Sequence, residues 1–190
     1  MKKLRDLIRF FRAQLSFPFS KKETSLSKKD QKLLNEIYFK AKKIEKDNKI
    51  KLNTHIIFSK NILYLILKKN LLNFLQKGFI QQMFFIHNRF FIFFELIEMI
   101  KDKYWHLWKK IIKEDNIGNP VKFFLYPYSS GNKIHQTYHI KKYKDFSKVN
   151  IKKFNNILEL GGGYGNMAKS FYKINNKINY TIFDTKEVSL

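Results

Sequence analysis

Asn156-Ile157-Leu158-Glu159-Leu160-Gly161-Gly162-Gly163-Tyr164-Gly165-Asn166-Met167 is the stretch whose reading decides the fold. Ile157 to Leu160 is a short apolar strand that runs into glycines at 161, 162, 163 and 165. A helical stretch follows, then a second apolar strand from Tyr180 to Phe183 that ends on Asp184. Strand, glycine turn, helix, strand and acid make the first half of a nucleotide-binding βαβ unit. Glycines permit positive φ, and a missing Cβ lets a ligand lie against the backbone. Amides opening the next helix favour polar or anionic groups. An acid at the tip of the second strand can accept both hydroxyls of a ribose.

The spacing separates two kinds of nucleotide. A dinucleotide fingerprint places glycine first, third and sixth in the turn. Counted from Gly161, the third position is Gly163 but the sixth is Asn166. The alternative spacing, acid-x-Gly-x-Gly-x-Gly, is filled by Glu159, Gly161, Gly163 and Gly165. That block resembles the first motif of class I S-adenosylmethionine (SAM) dependent methyltransferases. Asp184, nineteen residues beyond Gly165, stands where that family keeps its ribose acid.

Composition bounds the alternatives. The 190 residues suffice for one or two domains, and a hydrophobic content of 44% suffices for a core. Twenty Phe and ten Tyr make that core aromatic. Cysteine is absent, which excludes disulfides and thiolate metal sites and agrees with a cytoplasmic location. The formal charge of +23 invites a nucleic-acid reading. Yet only four of the 38 basic residues, Arg5, Arg9, Arg12 and Arg89, are arginine. Lys, Asn, Ile and Phe abound together and all have A/T-rich codons, so genomic bias accounts for the charge more simply. Phosphate and guanine recognition would recruit the arginine fork. A basic surface still favours anionic partners such as nucleotide-sugars and membrane lipids.

Ahead of the glycine block the chain reads as helical. Leu4, Leu7, Ile8 and Phe11 keep helical spacing among basic residues. Arg9 and Arg12 interrupt the apolar run that a signal peptide needs. This segment reads either as a basic helix resting on a membrane or as a helix docked on its own protein; composition favours the second. Residues 20–30 are polar and read as a loop. Gln31 to Asp47 form a helix with Leu33, Leu34, Ile37, Ala41 and Ile44 on one face. Thr54 to Leu67, Leu71 to Ile80 and Met83 to Ile100 are apolar helical stretches. None of their uninterrupted runs approaches the ~20 apolar residues of a spanning helix. A lysine-rich helix continues from Tyr104 to about Glu114. Its Trp105 and Trp108 share a face, suited to stacking on a sugar or, more commonly, to interhelical packing.

Asp115-Asn116-Ile117-Gly118-Asn119-Pro120 ends the helical region. Residues 121–150 read as short β-like pieces with a Ser129-Ser130-Gly131-Asn132 turn. His135 and His139 are at i and i+4, a spacing that binds metal on a helix. No Glu follows His135, and Thr137 and Tyr138 disfavour a helix, so no metal site is expected.

Two blocks then point to one family. Ile117-Gly118-Asn119-Pro120, about forty residues before Leu158-Glu159-Leu160-Gly161-Gly162-Gly163-Tyr164-Gly165, resembles the sugar O-methyltransferase family of bacterial surface-polysaccharide gene clusters. Its members have a helical N-terminal part, a Gly-Asn-Pro turn and a SAM domain that opens Glu-(Ile/Leu)-Gly-Gly-Gly-Tyr-Gly. Their second strand ends Asp-Leu-Pro-Glu. Here Asp184 and Glu187 match, and Thr185 and Lys186 do not. The resemblance covers roughly residues 115–190.

The resemblance implies an α/β chain in three parts. A helical region covers 1–115, a connecting segment 116–150, and the start of a Rossmann-like SAM domain 151–190. It implies SAM as cofactor and a sugar, nucleotide-sugar or glycan hydroxyl as methyl acceptor. Gly161, Gly163 and Gly165, with Gly162 in the same block, would line the donor. Glu159 would orient the loop or reach the methionine part, Asp184 would bind the ribose, and Tyr164 would cover the ligand or pack. No catalytic base is assigned. The family's sheet is seven-stranded, and two strands of it fall within this sequence. The chain is therefore expected to be a fragment with little activity alone, whether from a fragment gene, a frameshift or an incomplete sequence, with a complementing C-terminal chain as one candidate partner. The alternative is a basic, aromatic helical module that attaches to a membrane surface, a nucleic acid or such a partner.

Overall fold

A computed structural model describes residues 8, 28–47, 54–67, 73–77, 80 and 91–184. The expected amphipathic segment at 1–19, apart from Ile8, lies outside these residues. So do residues 71, 72, 78, 79 and 83–90 of the apolar stretches, and Thr185 to Glu187. Helices α1 (Lys28–Asp47) and α2 (Thr54–Leu67) come first, then a 3₁₀ turn at Phe74–Gln76. Next are α3 (Phe91–Ile100), α4 (Trp105–Ile112), β1 (Lys122–Phe123) and β2 (Tyr126–Ser130). The chain continues with α5 (Gly131–Ser147), a 3₁₀ turn at Ile151–Lys153, β3 (Asn156–Leu160), α6 (Asn166–Ile174) and β4 (Asn179–Phe183). The architecture is α/β, with two small sheets of two strands each among the described residues. None of the described helices is long and apolar enough to cross a membrane.

The helix at 31–47 begins three residues earlier than its sequence suggests, inside the segment read as a loop. Ala41 is fully buried and packs with Leu63 and Ile66 of α2, with Ile37 alongside. Leu33, expected on the same face, is exposed.

The principal core gathers Ile92, Leu96 and Met99 of α3, Trp108, Ile111 and Ile112 of α4, and Phe123 of β1. Ile134 and Ile140 of α5, Ile151, Phe171 of α6 and Ile178 complete it. This cluster crosses the sequence positions near 115 and 150 at which the chain was divided, so residues from all three parts share one interior. Trp108 is fully buried and Trp105 packs against the same cluster. Of the two roles open to the tryptophan pair, interhelical packing is the one they fill.

The largest departure from expectation is α5. Ser130, read as part of a turn, is its N-cap, and its hydroxyl accepts from the Lys133 amide at 3.1 Å. Such a cap is worth about 1 kcal/mol. The low helix propensity of Thr137 and Tyr138 costs only some tenths of that per residue. Burial of Ile134, Thr137, Ile140 and Lys141 along one face outweighs it. A polar stripe then joins α5 to α3. His135 meets Glu95, the Tyr138 hydroxyl donates to Glu98 at 2.6 Å, and Lys141 reaches both Glu98 and Asp102. Lys148, left-handed at φ 60°, closes the helix.

Candidate functional site

β3 and β4 are parallel and in register from Asn156 opposite Asn179 to Leu160 opposite Phe183. Helix α6 connects them, since parallel strands require a crossover. Alternation sets their faces. Ile157 and Tyr180 turn toward the core, and Glu159 and Ile182 share that parity. Leu158, Leu160 and Phe183 point the other way, at 65%, 73% and 71% exposure.

At the strand tips the ladder runs into the glycine loop. The Gly161 amide donates to the Phe183 carbonyl at 2.8 Å. Two residues on, the Gly163 amide donates to the Asp184 carboxylate, also at 2.8 Å. The structure therefore brings the first-strand loop and the second-strand acid into direct contact. Gly161, Gly163 and Gly165 have φ of 72°, 54° and 73°, the left-handed region that disfavours side chains. A Cβ at Gly161 or Gly163 would meet nothing within 4 Å, so both border open space. Gly162 differs. A Cβ there would be 2.6 Å from Ile182 and 3.0 Å from Glu159, so this glycine lets the loop lie on β4.

Glu159 lies beneath the loop and accepts from the Tyr180 hydroxyl at 2.9 Å. Desolvation, with the Glu159 carboxylate beside it, pushes the Tyr180 hydroxyl above its ordinary pKa, so it stays a donor. Tyr164 turns inward. Its hydroxyl accepts from the Asn132 side chain at 2.8 Å, and its ring meets Phe74 edge-on at 6.4 Å between centroids. Desolvation raises its pKa as well.

Three residues beneath the loop carried no sequence signal. Asn132 holds Tyr164 from the first turn of α5. Lys133, 1% exposed, donates through Nζ to the Asn166 carbonyl at 3.1 Å and to the Ser170 hydroxyl at 2.8 Å, tying α5 to the first turn of α6. Burial brings its pKa down to about 8. Asn166, the first residue of α6, is 1% exposed, and its side-chain amide finds no partner among the described residues.

Phe74 joins the two sequence blocks. Gly118 (φ 73°) lies so close to it that a Cβ would overlap the ring, with even the farthest of three ring carbons only 2.9 Å away. The Leu75 amide donates to the Gly118 carbonyl at 3.0 Å, and Asn119 donates to Asn73 at 2.8 Å. The Gly-Asn-Pro turn thus seats Phe74, and Phe74 backs Tyr164 of the glycine loop. At the far end of α6 is an open hollow of about 320 Å³ lined in part by Lys110, Lys152 and Lys173. It is separate from the glycine loop.

No protein-family model matches the chain, and no curated protein or solved structure is significantly similar to it.

Proposed function

We propose that the β3–glycine loop–α6–β4 unit binds SAM and that the chain serves methyl transfer to a sugar hydroxyl. The observation that carries this reading is the contact between the Gly163 amide and Asp184, beside backbone left open at Gly161 and Gly163. The residues present fit the cofactor. A Cβ at either open glycine would fill the space a ligand needs against the loop. Asp184 already touches the loop, and a carboxylate oxygen accepts more than one hydrogen bond. It can therefore keep the Gly163 amide while receiving a ribose hydroxyl. Glu159, held by Tyr180, supports the loop from below. SAM, when bound, supplies an electrophilic methyl on a sulfonium. The chain's residues fix where that methyl stands, which is what an in-line transfer requires.

The acceptor class rests on the resemblance to sugar O-methyltransferases. The reading also needs further structure over the β3–β4 sheet, from more of the same polypeptide or from a separate one. Parallel sheets are covered on both faces in folded proteins, whereas Leu158, Leu160 and Phe183 are bare. Whatever adds strands and covers this face, on this chain or another, would also bring the acceptor site and a base. Calorimetric titration of SAM into the purified chain tests the cofactor reading. Saturable one-to-one binding that is lost in Asp184→Ala, with its fold intact, is expected. A wild type that shows no saturable binding, or an Asp184→Ala variant that binds equally well, overturns it.

A further inference from the structure

His135 and His139, one turn apart on α5, hold their Nε2 atoms 3.0 Å from each other. The opposite nitrogen of His135 is already committed. Its Nδ1 lies 2.8 and 2.9 Å from the two carboxylate oxygens of Glu95 on α3. In the neutral ring the proton then belongs on Nδ1, which donates to Glu95, and Nε2 is the nitrogen that can ligate. The two rings stand at 83° to one another with centroids 4.4 Å apart. Nitrogens aimed head-on along a single line would hold the centroids farther apart than this. The two nitrogens are therefore not head-on, and they stand within reach of one shared proton or, in its place, one shared cation.

We propose that His135 and His139 form a bidentate site for a late first-row divalent cation, with Glu95 as the outer carboxylate that orients His135. Two nitrogens 3.0 Å apart, each about 2.0–2.1 Å from a metal, subtend about 90–97° at it. That is a cis angle of a tetragonal site, as Cu²⁺ and Ni²⁺ prefer, and it is narrower than tetrahedral zinc asks for. Among the described residues no group of three or more His, Cys, Asp or Glu side chains is placed to hold a metal ion together. The remaining coordination positions are thus filled by water or by donor atoms of a small molecule.

The surroundings suit this use. His139 is exposed, so the site is reached from solvent. The ring of Phe91 meets His135 edge-on at 5.4 Å and that of Tyr138 meets His139 at 6.4 Å. A carboxylate–histidine–metal arrangement strengthens the ligand and the carboxylate contact together. Metal binding therefore stabilises the packing of α3 against α5 through linkage. The site makes no use of the glycine loop and stands or falls independently of the SAM reading.

The test is titration of Cu²⁺, Ni²⁺ and Zn²⁺ into the full chain carrying no affinity tag, with calorimetry, Cu²⁺ electron paramagnetic resonance and thermal unfolding as readouts. One Cu²⁺ per chain, coupling to two imidazole nitrogens, a raised Tm and preference for Ni²⁺ over Zn²⁺ are expected. His139→Ala, an exposed change that leaves circular dichroism unaltered, should abolish that binding. Glu95→Gln should weaken it by about 10–100-fold. Absent saturable Cu²⁺ binding overturns the proposal, as does equal affinity in His139→Ala. Zn²⁺ binding as tightly as Cu²⁺ overturns the angular argument.

Discussion

Replacing Gly118 by alanine should destabilise the chain more than the same change in the glycine loop. The left-handed backbone at Gly118, φ 73°, costs an alanine about 1–2 kcal/mol. The added methyl must also displace the Phe74 ring, and overpacking of this kind costs about 1–3 kcal/mol. Together these predict a loss of about 2–5 kcal/mol, or a fall in Tm of about 4–20 °C for a chain of this size. Gly161 has almost the same φ, 72°, but open space around it. Gly161→Ala should cost only the backbone part, about 1–2 kcal/mol. Thermal unfolding followed by circular dichroism compares the two. A double-mutant cycle with Phe74→Ala isolates the clash, because removing the ring should recover about 1–3 kcal/mol of the Gly118→Ala penalty. If Gly118→Ala melts with Gly161→Ala, or if its penalty simply adds to that of Phe74→Ala, then Gly118 does not seat Phe74 and the argument fails.

Two further outcomes follow from the groups beneath the loop. Lys133 has its pKa lowered by burial to about 8. The unfolded chain thus binds more protons between pH 8 and about 10.4, and stability should rise with pH across that window. The full shift corresponds to about 3 kcal/mol for this one group. Lys133→Met should remove that slope from urea unfolding measured as a function of pH; an unchanged slope refutes the assignment. Tyr164→Phe withdraws the acceptor of the buried Asn132 amide. It should cost about 1–3 kcal/mol in denaturant unfolding, while Asn132→Ala combined with it should add little.

The sequence made the glycine loop legible because its chemistry is local. Strand β3, the turn, helix α6 and strand β4 follow one another within thirty residues, and each carries its own propensity. Glycine spacing announces positive φ, and the acid marks the end of β4. The distinction between Gly161 or Gly163 and Gly162 was hidden, since it depends on Ile182 across the sheet. Helix α5 was missed for a different reason. Ser130 was read with Gly131 and Asn132 as a turn, but a serine before a buried apolar face is also a cap. Tertiary burial of Ile134 and Ile140 then overrode the weak propensity of Thr137 and Tyr138. With the helix went the pairing of His135 and His139, whose spacing only has meaning on a helical face. Phe74 lies more than forty residues from Gly118 and ninety from Tyr164. Nothing in a single sequence signals that contact.

The central claim is that a SAM molecule lies against the glycine loop. Amide chemical shifts of the isotope-labelled chain, recorded as SAM is added, test it most directly. The account predicts saturable shifts at Gly161, Gly163 and Gly165, with smaller ones at Asp184 and Asn166 and none near Lys110, Lys152 and Lys173. Shifts confined to that lysine-lined hollow, or none at the three glycines, would contradict it.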